Sequence, residues 1–119
     1  MMIVDNFEDL KIWQEAKKLC ISIYSITKRN QDFGFNNQIQ RAAVSIMNNI
    51  AEGFESGTSK SLVKYFQIAK GSAAEVRSML ILGIELGYFT KESTSLIEKG
   101  IYITKGIQKF INKKQESGQ

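Results

Sequence analysis

NNQIQRAAVSIMNNIA, residues 36–51, runs for more than four helical turns with one charge, Arg41. A helix on the outside of a monomer ordinarily turns Lys and Glu toward water, whereas this stretch offers Ala42, Ala43, Ser45, Asn48 and Asn49. Its apolar residues also fall on two faces. Ile39, Ala42 or Ala43, Ile46, Ile50 and Phe54 make one seam, while Val44 and Met47 point elsewhere. The pattern predicts a helix buried on more than one side. In an all-α, four-helix monomer each helix keeps one wet face, so the second burial is expected to come from another copy of the chain. Ala42, Ala43, Val44, Met47 and Asn48 are the candidate residues for that oligomer interface.

Outward from this stretch, three more amphipathic segments account for nearly all of the 119 residues, and the breaks between them are short and rich in Gly, Asn, Ser or Thr. A single domain, 1–119, follows. The first helix is expected over about 7–29, with Asn6 as its cap and Asp9 at the third position; Phe7, Leu10, Trp13, Ala16, Cys20, Ile23 and Thr27 form its seam. Gly34, Phe35 and Asn36 suggest a turn into the second helix, about 36–55, which ends near Gly57. Thr58 or Ser59 caps the third, about 59–86, whose near-heptad seam is Leu62, Phe66, Ala69, Ala73, Val76, Leu80 and Gly83. Within it, Ala69, Gly71, Ser72, Ala73 and Ala74 sacrifice helix propensity, and the small patch Ala42, Ala43 and Ser45 is expected to cross there. Gly87 closes the third helix, and Thr90 caps the fourth, about 91–115, through Leu96 or Ile97, Ile103, Ile107, Phe110 and Ile111. Residues 115–119 are expected to fray. Short connections predict an antiparallel up-down four-helix bundle.

Composition agrees. Proline is absent and 43% of residues are hydrophobic, so nothing breaks helices and a chain of this length can build its own core. The one cysteine, Cys20, has no internal partner and reads as a small core residue, consistent with a reducing cytoplasm. The opening MMIVDNFEDL is acidic where a secretory leader requires a basic start, which also favours the cytoplasm. The apolar run from Met79 to Ile84 is far short of the roughly 20 residues that span a bilayer, so no membrane partner is expected.

Histidine is missing, which removes Ser-His-Asp and Cys-His nucleophiles, the usual zinc sites and the Glu-x-x-His ligands of di-iron bundles. The glycines show neither Walker nor dinucleotide spacing. No catalytic residue, metal or cofactor is predicted, and the chain reads as a non-enzyme. Arg41 lies eleven residues before Glu52, on one helix face, and Glu75 of the third helix can approach them. These three are expected to form a structural polar network rather than an acid-base pair. Between Lys99 and Lys114 there are five lysines and no acidic residue, and Lys105, Lys109 and Lys113 recur every four positions as one basic stripe. Lys60, Lys64 and Lys70 add to it from the third helix. With Arg41 they are the candidate nucleic-acid contacts, each neutralising a phosphate; the alternative is a solvated helix face. The net charge of +4 is modest, but a ring of five copies multiplies it fivefold into a field that collects polyanions.

Three pieces carry a family resemblance: Arg41-Ala42-Ala43, Asn49-Ile50-Ala51-Glu52-Gly53 and Ala69-Lys70-Gly71-Ser72. With Leu10, Trp13, Ala16, Leu19, Ile23, Tyr24 and Thr27 of the opening segment, the chain resembles the bacterial 23S rRNA-intervening-sequence proteins over about residues 7–111. The resemblance implies a four-helix bundle that assembles into a pentameric ring. It also implies relatives encoded in insertions of 23S rRNA genes, and accessory proteins of diversity-generating retroelements that bind a reverse transcriptase and RNA. None of these is an enzyme. Two departures stand out: Gln40 occupies a place where an arginine often precedes Arg41, and Asp32-Phe33-Gly34 replaces a frequent Phe-Pro turn.

Overall fold

Asp32 and Thr58 decide where two of the four helices begin. In the computed structural model, which describes residues 5–117, Asp32 Oδ1 accepts from Phe35 N and Thr58 Oγ1 accepts from Ser61 N, each at 3.1 Å. Both bonds satisfy an amide that has no carbonyl partner inside its own helix. The helices are α1 (Lys11–Thr27), α2 (Phe33–Glu55), α3 (Ser59–Glu85) and α4 (Thr94–Glu116), with 3-10 turns at Phe7–Asp9 and Lys91–Ser93. Among the described residues there is no strand.

Contacts between helices run in opposite directions along each pair. Phe35 packs on Phe89, Ser45 on Ser72, and the Gly53 backbone on Phe66, so α2 and α3 are antiparallel. Phe66 against Phe110, Lys70 against Gln108 and Arg77 against Gly100 set α4 antiparallel to α3. Ile12 against Gly106 and Glu15 against Lys99 close α1 onto α4. The result is an elongated four-helix bundle, 46 × 23 × 19 Å. The seam expected for α3 is buried at every position, and it meets Ala16, Leu19 and Ile23 of α1, Ile39, Ile46 and Ile50 of α2, and Ile103, Ile107 and Ile111 of α4 in one core. Each large aliphatic group there stabilises the fold by about 1.5–3 kcal/mol over its exposed state. Cys20 is part of this core, and burial pushes its thiol pKa up.

Gly87, at φ +78°, takes the left-handed conformation at the end of α3. Around it Tyr88 N donates to Gly83 O (2.8 Å) and Gly87 N to Ile84 O (3.1 Å), the paired bonds of a Schellman closure. Gly57, at φ +89°, ends α2 as expected.

Several expected boundaries are corrected. Asn6 makes no side-chain cap bond; its carbonyl accepts from Asp9 N in a 3-10 turn. The chain then extends at Leu10, which drops that side chain into the core, and α1 starts only at Lys11. At its other end Lys28 N donates to Ser25 O and Asn30 N to Thr27 O, tight three-residue bonds that replace the α-helical ladder, and Asn36 Nδ2 fastens this turn by donating to Thr27 O and Asn30 O. Gly34 is not a turn but lies in the first turn of α2, because Asp32 caps three residues earlier than expected. Thr90 makes no side-chain cap, and a 3-10 turn precedes α4. Gln115 and Glu116 are helical rather than frayed, while residues 118–119 lie outside the described residues. Phe54 is only half-buried, and the adjoining Gly53 takes the close contact with α3. The small cluster of α3 divides: Ala69 and Ala73 are core and Ser72 meets α2, but Gly71 and Ala74 are exposed.

Candidate nucleic-acid interface

The outer face of α2 is concave and almost uncharged. With Tyr24 of α1, residues from Asn37 to Glu52 line a depression of about 710 Å³ whose only charged members are Arg41 and Glu52. Its polar groups are partly used within the protomer. Gln40 Nε2 donates to Thr27 Oγ1 at 2.9 Å, Asn49 Nδ2 to Ser45 O at 2.9 Å, and Ser45 Oγ shares a 2.8 Å hydrogen bond with Ser72 Oγ. Ala42 and Ala43 correct the expectation drawn for them: at 4% and 0% exposure they are sealed inside the protomer and have no surface to give to another copy. Val44 and Met47 are half-buried and Asn48 is exposed.

The polar network expected of Arg41, Glu52 and Glu75 does not form. All three are exposed, and among the described residues no hydrogen bond or ion pair joins any of them. Arg41 and Glu52 do share the α2 depression, as their spacing requires, but Glu75 projects from α3 into solvent instead of reaching across the helix pair.

Three of the candidate lysines, Lys60, Lys70 and Lys105, line recesses. Lys60 and Lys114 flank a recess of about 480 Å³ beside the start of α3, formed with Thr58, Ser59 and Val63. Lys70 and Lys105 line a second groove, about 530 Å³, between α3 and α4. Lys105, Lys109 and Lys113 are all exposed, and their four-residue spacing keeps them on one face of α4; Lys64 is exposed on α3. Arg41 stands apart from these on the α2 face. The ion pairs among the described residues involve only Glu15, with Lys99 at 2.9 Å and Lys18 at 3.3 Å. The hydrogen bond from Lys99, and next that from Lys18, hold the Glu15 carboxyl below its ordinary pKa against the opposing effect of burial. No candidate lysine is neutralised by a carboxylate, although Lys70 Nζ donates to Gln108 Oε1 at 2.7 Å.

Arg77 is the residue that sequence reasoning missed. It lines the α3–α4 groove with Lys70 and Lys105, and its Nε is buried without an acceptor. The signal was present: Arg77 follows Lys70 by seven residues, which returns to the same helix face. Among the described residues no helix is long and apolar enough to cross a membrane, and no cluster of His, Cys, Asp or Glu has the makings of a metal site.

A family model for the 23S rRNA-intervening sequence protein matches residues 8–113. No curated protein matches the chain. Among solved structures, a crystal structure from Bacteroides thetaiotaomicron, of a protein with unknown function from the S23 ribosomal protein family, superposes with a TM-score of 0.79 at 24% identity. The match covers 84% of this chain and 97% of that one, a likeness of fold.

Proposed function

The chain belongs to the 23S rRNA-intervening sequence protein family, and on that premise we propose that it is a cytoplasmic, non-enzymatic, homo-oligomeric scaffold that binds RNA, or an RNA–protein partner such as a reverse transcriptase, through basic surfaces of α3 and α4. The observation that carries the RNA reading is the row of exposed lysines on α4, Lys105, Lys109 and Lys113, none paired with a carboxylate. Unpaired cations at one-turn spacing neutralise successive phosphates, and each contact strengthens binding and steepens its salt dependence. Assembly rests on the α2 face. A helix with so few outward charges is costly to leave wet, and a second copy meeting Val44, Met47 and Asn48 covers it in a ring for which five copies is the number proposed.

Light scattering tests the assembly, with a mass several times 13.5 kDa expected and a monomer contradicting it. Anisotropy titration of a structured RNA between about 50 and 200 mM salt tests the binding, which should weaken steeply across that range. Changing Lys105, Lys109 and Lys113 together to Glu should abolish affinity while leaving the oligomer mass unchanged. Equal binding by that variant means that the stripe is merely solvated.

One observation favours a second reading, a protein-interaction ring that does not bind nucleic acid. Phe33, Ile81, Leu82 and Leu86 are 70%, 54%, 48% and 52% exposed, apolar surface of the kind that protein partners cover. A ring that forms but holds no RNA at low salt leaves that reading in place.

A further inference from the structure

Bundle packing accounts for every buried polar side-chain atom among the described residues except Arg77 Nε. A donor removed from water without an acceptor destabilises a fold, and a small apolar residue at this position packs at no such cost. The arginine is nevertheless held in place. Its stem lies against Gly100, where an added Cβ would stand 3.1 Å from Arg77 Cγ, so the absence of a side chain on α4 makes room for it. Its terminal nitrogens make no hydrogen bond within the described chain, and the residue lines the α3–α4 groove. Lys70 enters that groove from the same helix and Lys105 from the opposite one.

The rest of the groove is neutral. Gly71 and Ala74 form an open floor, since a Cβ at Gly71 would meet nothing within 4 Å. Gln67, Thr104 and Gln108 supply amides and a hydroxyl, and neither a carboxylate nor an aromatic ring lines the space. Three cations without an acid call for an anion. The absence of an aromatic surface excludes base stacking as the source of affinity, leaving the sugar-phosphate chain as what is recognised. The lining runs along α3 from Gln67 to Arg77 and along α4 from Thr104 to Gln108, a furrow that follows one backbone.

We infer that this groove seats the phosphodiester backbone of a single RNA strand, with the Arg77 guanidinium gripping one phosphate between the flanking ammonium groups of Lys70 and Lys105. The inference rests on the RNA reading above and assigns it a site. Arginine suits that position because its planar fork takes two phosphate oxygens at once, which an ammonium does not. Recognition is therefore tolerant of base sequence.

The test is anisotropy titration of a short fluorescein-labelled oligouridine on the full chain across the same salt range. Wild type is expected to show a log–log salt slope of about −2, the value for roughly three phosphates on a single strand. Arg77→Met should weaken binding about tenfold, cut the slope by about 0.7, and leave the melting temperature equal or higher because the stranded donor is gone. Lys70→Gln with Lys105→Gln should weaken binding without unfolding the chain, and it decides the matter if Arg77→Met fails to fold. A wild type that binds no RNA overturns the RNA reading and this site with it. A wild type that binds, with both groove variants binding as tightly, overturns the groove alone and leaves Lys109 and Lys113 as the contacts.

Discussion

Toward α2, helix α3 presents Ser72, whose Oγ lies 2.8 Å from Ser45 Oγ; toward α4 it presents Gly71 and Ala74, which face open space. Read along the chain, Ala69 to Ala74 looks like one device for bringing two backbones together. In three dimensions it serves opposite ends. Small side chains on the α2 flank let helices approach, and small side chains on the α4 flank keep a cleft from filling. Steric economy alone does not distinguish contact from vacancy; the neighbour does. The two flanks also differ in charge, since Lys70 and Arg77 stand on the open side and uncharged hydroxyls on the closed one.

A pair of glycine substitutions separates the flanks most sharply. On the closed side, a Cβ at Gly53 would stand 2.8 Å from the Phe66 ring and 3.0 Å from Tyr65 Cβ. Gly53→Ala should therefore cost about 1–3 kcal/mol in chemical denaturation, overpacking outweighing the propensity gained. On the open side Gly71→Ala should stabilise by about 1 kcal/mol, the propensity term alone. If the two substitutions shift the denaturation midpoint in the same direction, the contrast is lost.

The serine pair gives the next effect. Ser72→Ala removes one partner of a half-buried hydrogen bond and should cost about 1 kcal/mol. Combined with Ser45→Ala the losses should be less than additive, because the two substitutions remove the same shared hydrogen bond. Strict additivity in that double-mutant cycle would mean that the two hydroxyls are not coupled across the interface.

The smallest effect belongs to the end where α3 closes back on α2. Tyr88 Oη donates to Asp32 Oδ2 at 2.7 Å, and this bond, then that from Phe35 N, holds the Asp32 carboxyl below its ordinary pKa. A carboxyl lowered by folding stabilises above its unfolded value, about 4, and the benefit vanishes as pH falls through the lower folded value. Melting temperature followed from neutral pH into acid should drop more for wild type than for Asp32→Asn. Tyr88→Phe should recover most of that flattening, and parallel curves for all three proteins would assign the contact no part in stability.

How legible each part was follows from how local its causes are. The α3 seam could be read position by position, because apolar groups three and four apart share a face whatever they pack against. The start of α2 was misread because Gly34 gave a turn signal while the stronger determinant, Asp32, is fastened by a tyrosine 56 residues away. The end of α1 depended similarly on Asn36, a side chain from the next helix. Ala42 and Ala43 were assigned outward for lack of charge, yet an alanine is as suited to a tight crossing as to an interface, and here the protomer takes both. Lysine spacing on α4 was readable. The meeting of Lys70, Arg77 and Lys105 was not, because it depends on the register between two helices, which no single-helix pattern encodes.

Cys20 turns the core into a clock. It is the chain's one sulfhydryl, and with 7% of its surface accessible and its thiolate disfavoured by burial, a maleimide or dithiopyridine reagent gains access when α1 lifts from its neighbours. The rate of modification under native conditions then counts those excursions with no added probe. Packing between copies, as proposed above, predicts a slower count at higher protein concentration, and a rate that does not change with concentration contradicts it.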